Sequence, residues 1–590
     1  MLIKLKAYQR RYNLNYFIFP QFFKCVQKYM LKVKRKVLRE LEDEELTQKD
    51  LAAPYLFTFG RYGFYLFLLT NVAAFFFVEF FPFLVSDTIY DTFFFLYDNP
   101  LLVMIFSPLL AAVILSFIPT RFHKTINLFS VNFSLFVLLF SIFLLGFFDL
   151  STDDMQFQYR LQIYAEEEAY TSFIVGVDGL SCLLIVLTNF LFSLCFFLHL
   201  LPDNRGSKIK NINFFLLHFF IVFAFCALDI ILFYIFFEAT LIPMFLIIGL
   251  FGTRERKIYA AYKLFFYTLL SSLFTLAGLI LLFFTTGTGD LVFLKSTFFS
   301  PRLQNVLWVL LFISFATKLP MIPFHLWLPE AHVEAPTTGS IILAGVLLKL
   351  GGYGFFRFLG PLLPNATVYF MPLVSLLSIC AILAAAVISL RQIDLKKIIA
   401  YSSIAHMGFV SLGLVCFNEF ATTGSVFIML SHGFVSSALF LCVGFLYDRY
   451  KTKLIIYYSS LASVMPIFSS FFFLFLLANI SLPSTSGFIG ELLVLTGAVK
   501  VNFTLVFLSS FSVVMVVCYS LWLFNRLCFG ALSTKYIILY QDINVLELVA
   551  SISLVFPIFF LGVYPNFLTE YLDFFSSSFL ISFKYIFITL

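Results

Sequence analysis

The sequence predicts an all-α polytopic membrane protein, on three observations. Hydrophobic residues make up 61% of the 590 and charged residues only 12%, where average soluble chains hold about 45–50% and about 25%. Mean hydropathy is +0.99. The apolar residues gather into runs long enough to cross a bilayer, with most charges between the runs. A soluble enzyme or a nucleic-acid-binding protein is excluded on hydropathy, and the net charge of +6 fits basic membrane loops.

The elements follow in order. Residues 1–60 are polar and basic (Lys4, Lys6, Arg10, Arg11, then LKVKRKVLRE), with an acidic patch from Glu40 to Glu45. A cleaved targeting peptide is basic and poor in acids, so a retained extension is expected here, against a neighbour or the membrane surface. An extra membrane helix and linker are expected over 61–95, with the apolar run at about 63–86. A membrane domain over 96–570 holds runs at about 100–118, 127–148, 173–198, 213–228, 230–250, 262–284, 304–330, 338–358, 367–390, 398–416, 422–446, 464–498, 503–525 and 545–563. Residues 571–590 form an apolar tail.

The loops carry an orientation. Arg121 and Lys124; Arg205, Lys208 and Lys210; Arg254, Arg256 and Lys257; Arg391, Lys396 and Lys397; Arg449, Lys451 and Lys453; and Arg526 and Lys535 fall on alternate loops. The opposite loops are nearly free of basic residues, and 149–170 is acidic (Asp149, Asp153, Asp154, Glu166, Glu167, Glu168). By the positive-inside rule the basic loops face the cytoplasm or the mitochondrial matrix, with the N-terminal extension on that side.

Two runs are interrupted. Pro320 and Pro323 break 304–330, and Pro483 breaks 464–498 in NISLPSTSG. A proline removes a helix hydrogen bond and clashes with the preceding turn. In a membrane that is tolerated where protein or a water-filled cavity satisfies the freed groups. Pro320 and Pro483 lie about 165 residues apart, as do Glu238 and His406, so the breaks occupy corresponding positions of a weak internal repeat, a pointer to a transport site.

Ionisable residues well inside apolar runs form a short set: Glu238, Lys318, Lys349, His406, His432 and Glu491. A charge at bilayer depth costs roughly 2.5–3.5 kcal/mol on insertion scales. Each has a bland counterpart: a packed, protonated acid for Glu238, a snorkelling lysine for Lys318 and Lys349, hydrogen-bonded core histidines, an interfacial carboxylate for Glu491. Lys318 sits too deep to snorkel easily. Desolvation disfavours a charged lysine and a nearby carboxylate restores it, so a buried lysine can exchange a proton when its partner moves. Histidine titrates near neutral pH and can pass a proton on. Asp178 and Asp229 sit nearer run ends. His325, Glu330, His332 and Glu334 cluster in the second half of the first broken run, suited to a structural or gating role, and Lys263 snorkels from the basic end of its span.

No metal site is expected at the histidines, since no carboxylate or thiolate lies near them in sequence. The 9 cysteines form no CxxC pair, and neither GxGxxG nor a P-loop occurs. The 86 phenylalanines supply lipid-facing bulk and point to the AT-rich codon usage of an organellar genome.

FFEATLIPMFLIIG, KLPMIPFHLWLPEAHVEAPTTGSIILAGVLLKLGGYG, IDLKKIIAYSSIAHMGFV and LPSTSGFIGE resemble the antiporter-like membrane subunits of the proton-pumping NADH:ubiquinone oxidoreductase, respiratory complex I, of the chain 4 type. The resemblance covers about residues 100–565, and AHVEAPTTGS matches the mitochondrial and bacterial form rather than the plastid one. It implies about fourteen core transmembrane helices with two inverted five-helix repeats, each holding a broken helix. Glu238 and Lys318 resemble the family's coupled carboxylate–lysine pair, Lys349 its central lysine, His406 and His432 the histidines of its hydrated axis, and Glu491 the terminal proton residue. That glutamate, where sister subunits tend to carry lysine, and the lack of a long lateral C-terminal helix separate this type from its siblings. Residues 1–95 have no counterpart in the family pattern, and Ala239 replaces a more usual leucine or methionine.

The implied function is proton translocation across the mitochondrial inner membrane, by a multi-pass subunit without a redox centre. Protons would pass from Lys318 to Lys349 and on through His406 and His432 to Glu491. NADH, FMN, iron–sulfur clusters and ubiquinone belong to the rest of the complex. The implied partners are two sister antiporter-like subunits, lineage-specific accessory subunits at the extension, and anionic lipid such as cardiolipin at the basic loops. The alternatives are a subunit of a multi-subunit cation/proton antiporter, which shares the helix core and lysines, and a membrane-arm subunit that has lost pumping.

Overall fold

The computed structural model describes residues 99–589 except 153, 167–168, 202–206, 533–536 and 538–539. The extension at 1–60, the helix and linker expected at 61–95, and the loop residues Asp153, Glu167, Glu168, Arg205 and Lys535 lie outside the described residues. Twelve described helices are long and apolar enough to cross a membrane, from Pro100–Phe117 to Val545–Val563. They track the apolar runs because hydrocarbon offers no partner for backbone polar groups, and a helix satisfies its own.

Contacts between linkers define two ends of the bundle. At the basic end the Thr253 N–H donates to the Glu334 carbonyl at 3.1 Å and the Leu395 N–H to that of Lys453 at 2.9 Å. At the acidic end the Ile230 N–H donates to Gly289, the Leu228 N–H to Ile174, both at 3.0 Å, and Arg160 pairs with Asp290 at 2.8 Å.

Among the described residues, the departure from an all-helical fold is an antiparallel hairpin, Gln156–Glu166 with Ala169–Val177. It occupies most of the acidic loop and takes the start of the run expected at 173–198. The segments QFQYRLQIYAE and AYTSFIVGV are rich in β-branched and aromatic residues, which suit a pleated surface. The helix itself begins at Gly179, where the Asp178 carboxylate accepts from the Ser181 N–H and the Ser181 hydroxyl accepts from the Asp178 N–H, a capping box. At the C-terminus one helix, Asn566–Thr589, runs across the boundary expected at 570.

Both broken helices form where the prolines place them. The first runs Pro301–Lys318 and resumes at Trp327–Glu334. Met321 N–H reaches back five residues to Ala316 at 3.0 Å, and the Thr317 carbonyl accepts instead from the Trp327 indole at 3.0 Å. The second runs Pro466–Asn479 and resumes at Ser486–Val501, with Leu482 N–H again reaching back five residues, to Leu477 at 3.1 Å.

The span Thr337–Leu362 between them carries π-helical turns at Leu343–Leu347 and Phe355–Leu359, one on each side of the helix Leu348–Gly354. Such turns recur at functional sites because the wider spiral frees a carbonyl. The long helix Glu419–Tyr450 runs through the centre, its membrane window wholly buried.

Gly351 lets the first break approach the Lys349 helix: a Cβ there would lie 2.7 Å from the Leu319 amide nitrogen and 3.1 Å from the Lys318 carbonyl carbon. Both neighbours are backbone, so neither can yield. The Gly351→Ala variant is expected to force the two backbones apart at Leu319, and overpacking of this kind typically costs about 1–3 kcal/mol. A lower unfolding temperature of the detergent-solubilised variant checks it.

Candidate proton-transfer axis

Glu238 closes the helix Ile230–Ala239, just before Pro243, and Lys318 ends the first half of the first broken helix. The Lys318 Nζ lies 4.0 Å from the Glu238 Oε1. It donates to the Phe237 carbonyl at 2.7 Å and sits 3.1 Å from the centroid of the Phe237 ring, whose face attracts a cation. Neither carboxylate oxygen of Glu238 has a hydrogen-bond partner. The pair is therefore an ion pair at 4.0 Å with no direct hydrogen bond between its members.

Lys349 is fully buried. Its Nζ donates to the Ala344 carbonyl, in the first π turn, at 2.6 Å, and lies 2.9 Å from the His432 Nδ1. His432 stands in the central helix, its Nε2 buried without a partner and its ring centroid 5.7 Å from that of His406. The His406 Nδ1 is 3.1 Å from the Glu491 Oε1. A cavity of about 10 Å³ touches His406, His432, Asn479, Ser481 and Glu491, close to the least volume that holds one water.

Five of the six residues named from the sequence are thus buried, Glu238 is partly buried, and the four from Lys349 to Glu491 form a continuous series. The order differs from the one expected: His432 precedes His406, because Lys349 faces the central helix and not the helix Leu395–Leu414. A carboxylate does meet a histidine, although none is near in sequence. Among the described residues no group of three or more His, Cys, Asp and Glu could hold a metal ion.

The second half of the first broken helix does not cluster its ionisable residues. Glu330 faces Lys397 at 3.9 Å. His332 stacks on Phe440 with ring centroids 4.5 Å apart, and neither ring nitrogen has a hydrogen-bond partner. Glu334 lies at the basic end, where three contacts hold the last carbonyls of this half-helix. The Lys453 ammonium donates to Val333, the Thr253 N–H to Glu334, and the Lys396 ammonium to Ala335 at 2.8 Å. Cations at a helix C-terminus complement its dipole. Burial pulls the Lys453 ammonium down to about 8, against the opposing pull of Glu334.

Sequence reasoning takes Lys396 and Lys453 as solvent-facing loop cations, yet both are fully buried. It passes over the ion pair Arg357–Asp178, closed at 2.5 Å. Arg357 carries the usable signal, a charge inside an apolar run, but it stands at the end of that run, where a solvent-facing position is the simpler reading.

A family model described as "NADH:quinone oxidoreductase/Mrp antiporter, TM" matches residues 227–516, a stretch holding all six axis residues. NADH-ubiquinone oxidoreductase chain 4 of Marchantia polymorpha is 46% identical over 79% of this chain and 94% of its own length. That of Arabidopsis thaliana is 48% identical over 78% and 93%. NADH-quinone oxidoreductase subunit M of Rickettsia prowazekii is 43% identical over 72% and 87%. A chain of respiratory complex I from Thermus thermophilus with bound NADH superposes with a TM-score of 0.72 at 26% identity, over 82% of this chain and 99% of its own. A chain of an archaeal membrane-bound sulfane sulfur reductase gives the same TM-score at 21% identity, a likeness of fold. The family model spans both oxidoreductase and antiporter subunits, and the near full-length relatives decide between them: the chain belongs to the NADH-ubiquinone oxidoreductase chain 4 family.

Proposed function

We propose that Glu238, Lys318, Lys349, His432, His406 and Glu491 carry protons through the membrane arm of a proton-translocating NADH:ubiquinone oxidoreductase. The observation that carries this reading is the buried series Lys349–His432–His406–Glu491, with contacts of 2.9 Å at one end and 3.1 Å at the other, beside a Glu–Lys pair at 4.0 Å. Charge change in a neighbouring subunit, driven by quinone reduction elsewhere in the complex, moves Glu238 relative to Lys318. At 4 Å the attraction is worth about 4 kcal/mol at an effective dielectric of about 20. Lengthening the contact removes much of that and releases the Lys318 proton toward Lys349. From Lys349 the proton passes to the His432 Nδ1, across the small cavity to His406, and to the Glu491 carboxylate. Each histidine takes a proton on one ring nitrogen and gives one up from the other.

In this reading NADH, flavin, iron–sulfur clusters and ubiquinone are bound by partner subunits, and two sister antiporter-like subunits flank the chain in the mitochondrial inner membrane. The basic end faces the matrix. Accessory subunits meet the N-terminal extension, and anionic lipid such as cardiolipin lies at the basic linkers.

Lys318→Ala is expected to abolish ubiquinone-linked turnover and proton translocation while NADH oxidation by an artificial acceptor at the flavin continues. Proton uptake by inverted membrane vesicles, with the assembled complex checked on a native gel, measures this; undiminished pumping would sink the role. His406→Gln keeps a hydrogen bond to Glu491 but cannot take a proton. It is expected to slow coupled turnover by roughly 10²-fold or more, the usual share of a lost acid–base group, with normal assembly. A stopped-flow pH-indicator assay on reconstituted complex tests it, and a wild-type rate removes His406 from the path.

A further inference from the structure

The helix that carries Lys349 bears two more buried polar side chains toward the acidic end, Tyr353 and Arg357, spaced four residues apart and 0% and 3% exposed. Together the three form one stripe. The Arg357 Nε donates to the Tyr353 hydroxyl at 3.1 Å, its Nη2 donates to the Asp178 Oδ1 at 2.5 Å, and its Nη1 faces the Met155 Sδ at 3.9 Å. The Tyr353 hydroxyl in turn donates to the Phe225 carbonyl at 3.0 Å. Beyond Arg357 lies a cavity of about 170 Å³, lined by Asp154, Met155, Asp178, Lys295, Arg357 and Glu570 among others. At about 30 Å³ per molecule it has room for several waters, and its rim residues Asp154 and Glu570 are exposed. This cavity comes within two helical turns of Lys349.

We propose that Arg357, locked by Asp178 and Tyr353, is a cationic stopper that insulates Lys349 from the cavity at the acidic end. Three features carry this. Arginine stays charged under all working conditions, and a fixed cation on a proton's route raises an electrostatic barrier to it. Its guanidinium is pinned from two sides and forms the inner wall of the cavity. The single proton of the Tyr353 hydroxyl is engaged by the Phe225 carbonyl and its oxygen accepts from Arg357, so the hydroxyl is bonded on both sides. Lys349 leans the other way, to Ala344 and His432. A proton on Lys349 then has a lateral route through His432 and no direct way out to the acidic end, so the stopper prevents a short circuit across one subunit.

The inference rests on Lys349 being a relay station, and the test separates the two. The purified complex is reconstituted into liposomes, and passive proton conductance is read from a pH-sensitive dye after an acid pulse, without NADH. Arg357→Met is expected to raise conductance several-fold over wild type, and Arg357→Lys to keep the vesicles tight. Because Arg357→Met leaves Asp178 buried without its partner, Arg357→Met/Asp178→Asn serves as the second variant and is expected to leak equally. Tight vesicles from either assembled variant overturn the stopper, as does an equal leak from Arg357→Lys or loss of assembly in both variants. Adding Lys349→Met to the leaking variant is expected to close it. A leak that persists retains the stopper and removes Lys349 from the proton path.

Discussion

A lysine ammonium inside this bundle has no bulk water to solvate it, and the fold answers with backbone carbonyls. Lys318 donates to Phe237, Lys349 to Ala344, Lys396 to Ala335 and Lys453 to Val333. None of these carbonyls sits in the middle of an undisturbed helix. Phe237 precedes the interruption before Pro243, Ala344 lies in a π turn, and Val333 and Ala335 are at the end of a half-helix. Irregular helices leave carbonyls unpaired, and buried ammoniums need acceptors. Each defect supplies what the other lacks, so the breaks and the lysines have to be placed together.

The same constraint separates groups that hold from groups that can move. Arg357 with Asp178, and Arg449 with Glu547, are hydrogen-bonded ion pairs with several further partners. Removing one member of such a buried pair typically costs about 3–5 kcal/mol, because the other charge is left uncompensated. Glu238 and Lys318 lack that geometry: the contact is longer and the carboxylate has no hydrogen bond. In the proposed mechanism, rigid pairs at the ends and a loose one at the start of the axis are the distribution that a transmitted charge change would require.

The central helix Glu419–Tyr450 gives the axis its direction. It carries His432 and packs against both Leu395–Leu414, which carries His406, and Ser486–Val501, which carries Glu491. Gly424 and Gly490 sit at that crossing, where a Cβ on Gly490 would stand 3.0 Å from the Ile428 amide nitrogen and one on Gly424 2.8 Å from that of Val494. Small residues let the backbones close up in the absence of a hydrophobic drive between helices, which holds the helix that carries Glu491 against the one that carries His432.

Hydropathy and proline placement made most of the helices and both breaks legible, because each is a property of a local run. Pro320, Pro323 and Pro483 interrupt helices wherever they are packed, and a charge within an apolar run is costly wherever it faces. The hairpin was hidden because its residues also read as an acidic linker followed by an apolar run. The order of His432 before His406 could not be read from chain order, since it depends on which helix faces Lys349. Arg357 finds Asp178 across 179 residues, and no local pattern announces that. By itself the sequence determined which segments enter the membrane and which charges are carried in with them, since transfer into hydrocarbon depends on composition over about twenty residues. Only the tertiary structure decided which charges meet, because a contact of 3 Å between helices is set by their packing, and packing is a property of all of them at once.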